Sequence, residues 1–257
     1  MVYVISGGPG SIDYLPYKSV KILKEADLVV YYESFDLSEL LTLCKPSCVQ
    51  LACKRLRPEV RINVFKNNPD KICVYLITGD FSLFGTCQHI LDMMDTNNIP
   101  YEVIPGISAF SASASVLKRE LVLPGISQCC IFTYLEDIPV LDKQQINSLA
   151  CHHSTLVVFM PYEYLLPKLE SSLLSVGVSP DTPVRIVANV LSKNQEILDI
   201  TVKDIHDVHG NVWHSLFLIG WVFADADVRK KVSLSPYTIG FRRTEDYFKN
   251  KEKDNNE

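Results

Sequence analysis

A glycine-containing turn follows a short apolar run at three points in the first half of the sequence. The turns occupy residues 7–10 (GGPG), 78–85 (TGDFSLFG) and 105–110 (PGISAF). Each stands between a run rich in β-branched residues and a helical pattern, as in the strand–turn–helix units of a parallel sheet. Because the carboxyl ends of parallel strands meet at one edge of the sheet, we expect the three turns to converge on one crevice.

Strand-like runs and helical patterns alternate along the remaining sequence. In the first half the predicted strands are 2–5, 28–32, 73–77 and 101–104, and the predicted helices are 17–26, 85–96 and 108–118. In the second half the predicted strands are 129–134, 155–160, 184–188, 196–201 and 215–219, and the predicted helices are 165–176 and 203–208. This pattern predicts an α/β protein with two α/β domains, a parallel sheet in the first and a mixed sheet in the second.

We place the N-terminal domain at 1–118, the C-terminal domain at 119–241 and a polar C-terminal tail at 242–257. The tail ends in KNKEKDNNE, which lacks the apolar residues that hold a segment on a core.

The first turn also invites a dinucleotide-binding interpretation, because glycines let a backbone approach a pyrophosphate at a helix N-terminus. The GxGxxG fingerprint fails here, since Asp13 follows Gly8 and Gly10 where the third glycine belongs. Pro9 stiffens the turn as well. A nicotinamide cofactor is therefore disfavoured.

Composition excludes several classes of function. The net charge is -5 and the basic residues are scattered, which disfavours nucleic-acid binding. No run approaches the roughly 20 apolar residues of a membrane span, and the N-terminus lacks a basic leader, so we expect a cytoplasmic protein without a membrane partner. The eight cysteines lack CxxC spacing, which favours reduced, mostly buried thiols and no metal site.

Longer segments resemble the tetrapyrrole (corrin and porphyrin) methylases. GGPGSIDYLPYKSVKILKEADLVVYYESF resembles the opening motif of that family, and TGDFSLFG resembles its second motif. PYEVIPGISAFSASASVLKRELVLPGISQ is most similar to the precorrin-4 and cobalt-precorrin-4 C11-methyltransferases of cobalamin biosynthesis. The resemblance implies a homodimer that transfers a methyl group from S-adenosylmethionine, bound in a cleft between the two domains, to a precorrin-type tetrapyrrole, and releases S-adenosylhomocysteine. Methylation of a different acceptor, and a catalytically inactive cofactor-binding homologue, are the alternatives.

The resemblance also implies roles for individual residues. The implied cofactor contacts are Pro9, Gly79, Asp80, Leu83, Ser108, Ala109, Met160, Ala188, Ser215 and Leu216. The implied acceptor-side residues are Tyr32 and Ser34, and the candidate catalytic carboxylates are Asp80 and Asp13. Capping of the following helix is the alternative role of Asp80.

Carboxylate-rich precorrins call for cations in the site, and arginine matches a carboxylate best. The candidates are Lys54, Arg55, Arg57, Arg61, Lys118, Arg119 and Arg185, each with a solvated surface charge as its alternative role. We favour Arg55 or Arg57 as acceptor-binding residues.

The sequence departs from the family pattern at four points. Ser11 and Pro16 replace an aspartate and a threonine in the first motif, and Phe81 replaces a proline in the second. Tyr134 stands in place of an arginine, and the segment LEDIPVLD that follows it contains no arginine. Ser11 and Tyr134 motivate the alternative of another acceptor.

Overall fold

The computed structural model describes residues 1–33, 36–134, 154–210 and 212–227. They divide into two compact units. Unit 1 comprises Met1–Val116 together with Asn189–Gln195, and unit 2 comprises the described residues of Leu117–Ala188 and those from Glu196 onward. The domain limits 1–118 and 119–241 stay predictions, and the predicted tail at 242–257 lies outside the described residues.

Unit 1 contains a parallel sheet whose described strands run in the order β3-β2-β4-β1-β5. The strands are β1 (Val2–Ser6), β2 (Leu28–Tyr31), β3 (Val49–Ala52), β4 (Cys73–Ile77) and β5 (Tyr101–Ile104). The helices between and after them are α1 (Tyr17–Glu25), α2 (Ser38–Leu41), α3 (Pro58–Lys66), α4 (Gln88–Thr96) and α5 (Ala109–Leu117).

Both faces of this sheet are covered, so its central strands are apolar without alternation. Val4 and Tyr75 face a core cluster that includes Phe65 of α3. Their neighbours Ile5 and Leu76 face the opposite cluster. Since full burial of such a side chain stabilises the fold by about 1.5–3 kcal/mol, the two cores fix the sheet and align the carboxyl ends of its strands.

Unit 2 contains a mixed sheet with its described strands in the order β6-β7-β10-β8-β9. The strands are β6 (Cys130–Tyr134), β7 (Thr155–Phe159), β8 (Pro183–Ala188), β9 (Glu196–Thr201) and β10 (Ser215–Ile219). Only the β6–β7 pair among them is parallel. Helix α6 (Leu166–Ser175) packs its apolar side on the sheet through Leu166, Leu169 and Leu173.

The predicted fold class is confirmed: the protein is α/β, with one parallel and one mixed sheet. One predicted element was wrong in type, because 203–208 is a 3-10 helix at Val202–Asp207 that begins with a capping box of Thr201 and Asp204. No helix in the described part of the chain combines the length and apolarity of a membrane span.

Candidate active site

The three glycine-containing turns of unit 1 meet, as predicted, at the carboxyl ends of the neighbouring strands β4, β1 and β5. Gly8 and Gly79 form an isolated antiparallel bridge, in which each backbone N–H donates to the other residue's carbonyl, at 3.0 and 2.8 Å. The third turn lies against both others. A Cβ on Gly106 would stand 2.6 Å from the Ser6 carbonyl oxygen and 2.7 Å from the Gly79 carbonyl oxygen.

Ser6, the last residue of β1, ties the second turn to the first. Its side chain is fully buried, and its hydroxyl oxygen accepts a hydrogen bond from the backbone N–H of Phe81 at 3.1 Å. The Phe81 ring, by contrast, is 36% exposed. Where the family pattern has proline, Phe81 therefore provides a backbone N–H that stabilises the turn and an exposed side chain.

The centre of this cluster is open. Gly79 has a left-handed φ of +66°, and a Cβ added there would meet no atom within 4 Å. The implied cofactor contacts Pro9 and Leu83 are half-buried in the two adjoining turns. The arrangement leaves room for a ligand beside backbone groups, which is the usual reason for glycine at such a position.

The carboxylate of Asp80 is engaged within its own turn. Its two oxygens accept hydrogen bonds from the Ser82 backbone N–H at 3.2 Å and from the Ser82 hydroxyl at 2.6 Å. Helix α4 begins only at Gln88, because Phe84 and Thr86 adopt left-handed φ angles that prolong the turn. The alternative role of Asp80 as a cap of this helix was wrong, and Asp80 orders the turn instead.

Asp13, the other candidate catalytic carboxylate, lies in a 3-10 turn at Ile12–Tyr14 that follows the first glycine turn. It is exposed, and the side chain of Ser11 accepts a hydrogen bond from its backbone N–H at 3.4 Å. Ser11 thus caps the turn where the family pattern has an aspartate.

The third turn leads into α5 through two implied cofactor contacts. Ser108 is buried, and its carbonyl accepts the first hydrogen bond of the helix from the N–H of Ala112 at 3.0 Å. Ala109, the first helical residue, is half-buried. The N-terminus of this nine-residue helix therefore begins at the loop cluster.

The implied acceptor-side residue Tyr32 and the candidate cations Arg55 and Arg57 lie near the carboxyl ends of the remaining strands, β2 and β3. Tyr31, the last residue of β2, and Tyr32, which follows it, point to opposite faces of the sheet: Tyr31 packs on one core cluster and Tyr32 on the other. Glu33 follows them and accepts a hydrogen bond from the Lys54 backbone N–H at 2.6 Å. That bond ties the end of β2 to the loop after β3. Ser34 lies outside the described residues.

Arg55 and Arg57 are exposed in that loop, next to the N-terminus of α3. Neither guanidinium has a carboxylate partner within residues 1–33, 36–134, 154–210 or 212–227. Strand spacing of about 4.8 Å places this loop roughly 10 Å along the sheet edge from the turn after β4. Both cations therefore lie on the same side of the sheet as the glycine turns, at the carboxyl ends of the strands.

The implied cofactor residues of unit 2 come together where the central strands β7, β10 and β8 begin or end. Ser215 opens β10 opposite Ala188 at the end of β8, and its carbonyl accepts a hydrogen bond from the Met160 N–H at 2.9 Å. Met160 has a left-handed φ of +43°, which is strained for a bulky residue and common at functional sites. Leu216 stands opposite Phe159. The side chains of Ser215 and Leu216 are buried, so a ligand would reach them through the backbone.

The seven described cysteines carry no sign of a metal site. No group of three or more metal-ligating side chains occurs among the described residues. The described cysteines are free, and burial raises the pKa of Cys44 to about 12 and that of Cys130 to about 11. Such thiols stay protonated and behave as small apolar side chains.

Known proteins resemble this chain in fold and in sequence. The model of the family Tetrapyrrole (Corrin/Porphyrin) Methylases matches residues 1–206. The chain belongs to this family. Its membership identifies it as a methyltransferase.

Individual relatives sharpen the comparison. The chain is 28% identical over 252 residues to a cobalt-precorrin-4 C(11)-methyltransferase of Priestia megaterium, with 94% of this chain and 97% of the relative covered. It is 31% identical over 207 residues to the enzyme of that name from Methanocaldococcus jannaschii, with 79% and 80% covered. A solved cobalt-precorrin-4 methyltransferase described as a cobalamin biosynthetic enzyme superimposes with a TM-score of 0.82 at 27% identity, covering 87% of this chain and 96% of that one. The fold also matches a uroporphyrin-III C-methyltransferase of Thermus thermophilus solved with S-adenosylhomocysteine, at a TM-score of 0.73 and 23% identity, with 87% and 93% covered.

Sequence reasoning missed two residues of the loop cluster and misjudged one cation. Ser6 and Gly106 pack the three turns together, and the signal that could have found them is their position: Ser6 is the last residue of β1, and Gly106 lies in the turn directly after β5. Arg61 was a candidate cation whose alternative role was a solvated surface charge, and that alternative was wrong, because Arg61 is only 7% exposed.

Proposed function

We propose that the protein transfers the methyl group of S-adenosylmethionine to carbon 11 of precorrin-4 or cobalt-precorrin-4. The observation that carries the proposal is the open cluster of glycine turns at the carboxyl ends of β4, β1 and β5, in a chain similar to cobalt-precorrin-4 methyltransferases over most of its length. The similarity supports a specific acceptor, and the open turns provide room for a cofactor.

The loop cluster fits S-adenosylmethionine. That cofactor supplies an electrophilic methyl group on a sulfonium, so the protein has mainly to hold donor and acceptor in line and to exclude water. Gly79 provides the space, and the turn ordered by Asp80 fixes the backbone beside it. The N–H groups at the start of α5, after Ser108, suit a carboxylate such as that of the methionine part.

The edge of unit 2 would bind the adenosine part, as the resemblance implies. Met160 and Ala188 are half-buried there, and each offers apolar surface to a purine. Ser215 and Leu216 would contribute backbone groups, because their side chains are turned into the core.

The acceptor would lie along the other half of the sheet edge of unit 1. Tyr32 at the end of β2 offers a ring, and Arg55 and Arg57 after β3 offer cations for the carboxylates of a precorrin. A protein of net charge -5 needs such a local cluster to attract a polyanion.

The reaction also releases one proton from the acceptor. Asp13 is the better candidate base, because its carboxylate is exposed and has no hydrogen-bond partner within the described ranges. Asp80 is occupied by Ser82 and is better suited to ordering the turn. An exposed carboxylate, or water held by it, suffices for a single proton.

The test is cofactor binding followed by methyl transfer. Gly79→Ala places a Cβ in the open space, whereas Gly177→Ala in unit 2 is a matched control: both glycines have positive φ, +66° and +89°, and both have room for a Cβ. We expect calorimetry to show wild-type affinity in Gly177→Ala and at least tenfold weaker binding, about 1.4 kcal/mol, in Gly79→Ala. Equal affinities in the two variants would refute the placement of the cofactor.

Methylation of another tetrapyrrole is the second candidate, favoured by Ser11 and Tyr134 at positions where the resemblance leads us to expect an aspartate and an arginine. Mass spectrometry after incubation with S-adenosylmethionine and each of several precorrins would reveal it as a methylated product from an acceptor other than precorrin-4. Tight cofactor binding without transfer to any acceptor would indicate an inactive homologue. We further propose that the protein is a homodimer, which light scattering on the purified protein would test by its molar mass, and that it is cytoplasmic, which fractionation of cells would test.

A further inference from the structure

Arg61 of unit 1 is a buried cation that forms no ion pair with any carboxylate in the described part of the chain. Its side chain donates hydrogen bonds from Nε to the Leu56 carbonyl at 3.0 Å and from Nη1 to the Tyr75 hydroxyl at 3.1 Å. Its guanidinium carbon lies 5.6 Å from the centre of the Tyr32 ring, close enough for a cation–π interaction. No carboxylate among the described residues pairs with it, although it is only 7% exposed.

The position of Arg61 in its helix adds to the positive potential. It is the fourth residue of α3, and its side chain reaches back past the helix N-terminus to Leu56. Helix N-termini carry partial positive charge and disfavour a nearby cation. Burial of a charge without a counter-charge is costly as well. Stability alone would favour an apolar residue here, and local conflicts of this kind are typical of functional sites.

The contacts of Arg61 connect the two segments assigned to the acceptor. Leu56 lies between Arg55 and Arg57, so its carbonyl fixes the loop that carries both exposed cations. Tyr32, whose ring Arg61 contacts, directly follows the strand β2 that neighbours β3. One planar guanidinium therefore sets the position of a ring and of a cationic loop at the same time.

We propose that Arg61 is a positioning residue for the carboxylate-rich acceptor: it holds Tyr32 and the Arg55–Arg57 loop in place and adds a positive charge next to them. The inference rests on the proposed function, since it takes these segments as the acceptor side. Arginine is required because a lysine has neither the fork that reaches two acceptors nor the flat face that stacks on a ring.

The test compares Arg61→Met, Arg61→Lys and the control Lys66→Met, which removes an exposed cation from the same helix. We expect Arg61→Met to raise KM for cobalt-precorrin-4 about tenfold or more, with the affinity for S-adenosylmethionine within about twofold of wild type. Arg61→Lys retains the charge, so we expect the salt dependence of KM to match that of wild type, while KM itself lies between the values for wild type and Arg61→Met. Lys66→Met is expected to behave as wild type.

Tyr75→Phe keeps the test decisive if Arg61→Met does not fold. It removes one hydrogen-bond acceptor of the guanidinium and retains the ring, so KM is expected to rise in the same direction by a smaller factor. An unchanged KM in the folded variants would overturn the inference. A parallel loss of cofactor affinity and thermal stability would also overturn it, because it would indicate a purely structural role.

A binding assay separates this inference from the proposed function. Uroporphyrin, a fluorescent tetrapyrrole rich in carboxylates, reports acceptor-side binding without methyl transfer. If wild type methylates no precorrin but Arg61→Met weakens uroporphyrin binding, the proposed function fails and the inference stands. If wild type methylates cobalt-precorrin-4 and Arg61→Met retains wild-type KM and uroporphyrin binding, the inference alone fails.

Discussion

Replacing Gly106 by alanine would test whether the three glycine turns form one structural unit. The added Cβ would stand 2.6 Å from the Ser6 carbonyl oxygen, 2.7 Å from the Gly79 carbonyl oxygen and 2.7 Å from the Ser6 Cβ. Restoring a separation of 3.0 Å requires shifts of 3.0 − 2.6 = 0.4 Å and 3.0 − 2.7 = 0.3 Å, and two of the three atoms belong to backbone. Overpacking of this kind costs about 1–3 kcal/mol.

The expected result is a fall in both stability and cofactor affinity. At about 2–4 °C per kcal/mol for a chain of this size, calorimetry should show Tm lower by roughly 2–12 °C. Because the clash moves Gly79, we expect S-adenosylmethionine to bind at least tenfold more weakly. Gly177→Ala, strained by about 1–2 kcal/mol at its positive φ, is expected to lose stability but no affinity. Wild-type stability and affinity in Gly106→Ala would refute the reasoning.

Three further predictions concern charge and ionisation. The double variant Arg55→Gln/Arg57→Gln loses both cations, and each loss is expected to weaken acceptor binding by about 0.2–1 kcal/mol. Initial rates at low salt should therefore show KM for the acceptor raised roughly 2- to 30-fold. The hydrogen bond with Glu170, 2.7 Å away, raises the pKa of His206, so His206→Gln should lower Tm below about pH 6.5 and lose this effect as the pH rises through the raised pKa, as measured by calorimetry. Since burial raises the pKa of Cys44 to about 12, peptide mapping at about pH 8 should show slow alkylation of this thiol until the protein unfolds.

Each of these predictions has a control and a contrary outcome. Lys168→Gln, an exposed substitution in α6, should leave KM unchanged, and an equal rise of KM there would point to net charge alone. A Tm difference for His206→Gln that persists near pH 9 would contradict an ionic contribution. Alkylation of Cys44 at the rate of a free thiol would show that the folded protein exposes it.

Much of the fold follows from local sequence patterns. The bounds of Cys73–Ile77 and Tyr101–Ile104 agree with prediction, because each is a short run with strong β propensity set between polar or turn-forming residues. The edge strand Val49–Ala52 was missed, since it is only partly buried and lacks a clear period. Helix Pro58–Lys66 was missed as well, because its buried face includes the charged residue Arg61.

The candidate site could be predicted only in part. Convergence of the three turns follows from parallel topology, and the sequence therefore predicts that Gly79 lies near Gly8. The hydrogen bond of Asp80 with Ser82 lies in a turn that left-handed residues prolong up to the start of α4, and no sequence pattern predicts those left-handed residues. The burial of Arg61 depends on long-range packing against Tyr75, and residue type alone favours an exposed arginine.

The position of the transferred methyl group tests the central proposal most directly. The purified protein would be incubated with cobalt-precorrin-4 and S-adenosylmethionine carrying a carbon-13 methyl group, and the product would be examined by mass spectrometry and NMR. We predict a product heavier by one labelled methyl, attached at carbon 11. Label at another carbon, or no labelled product although the cofactor binds, would contradict the account.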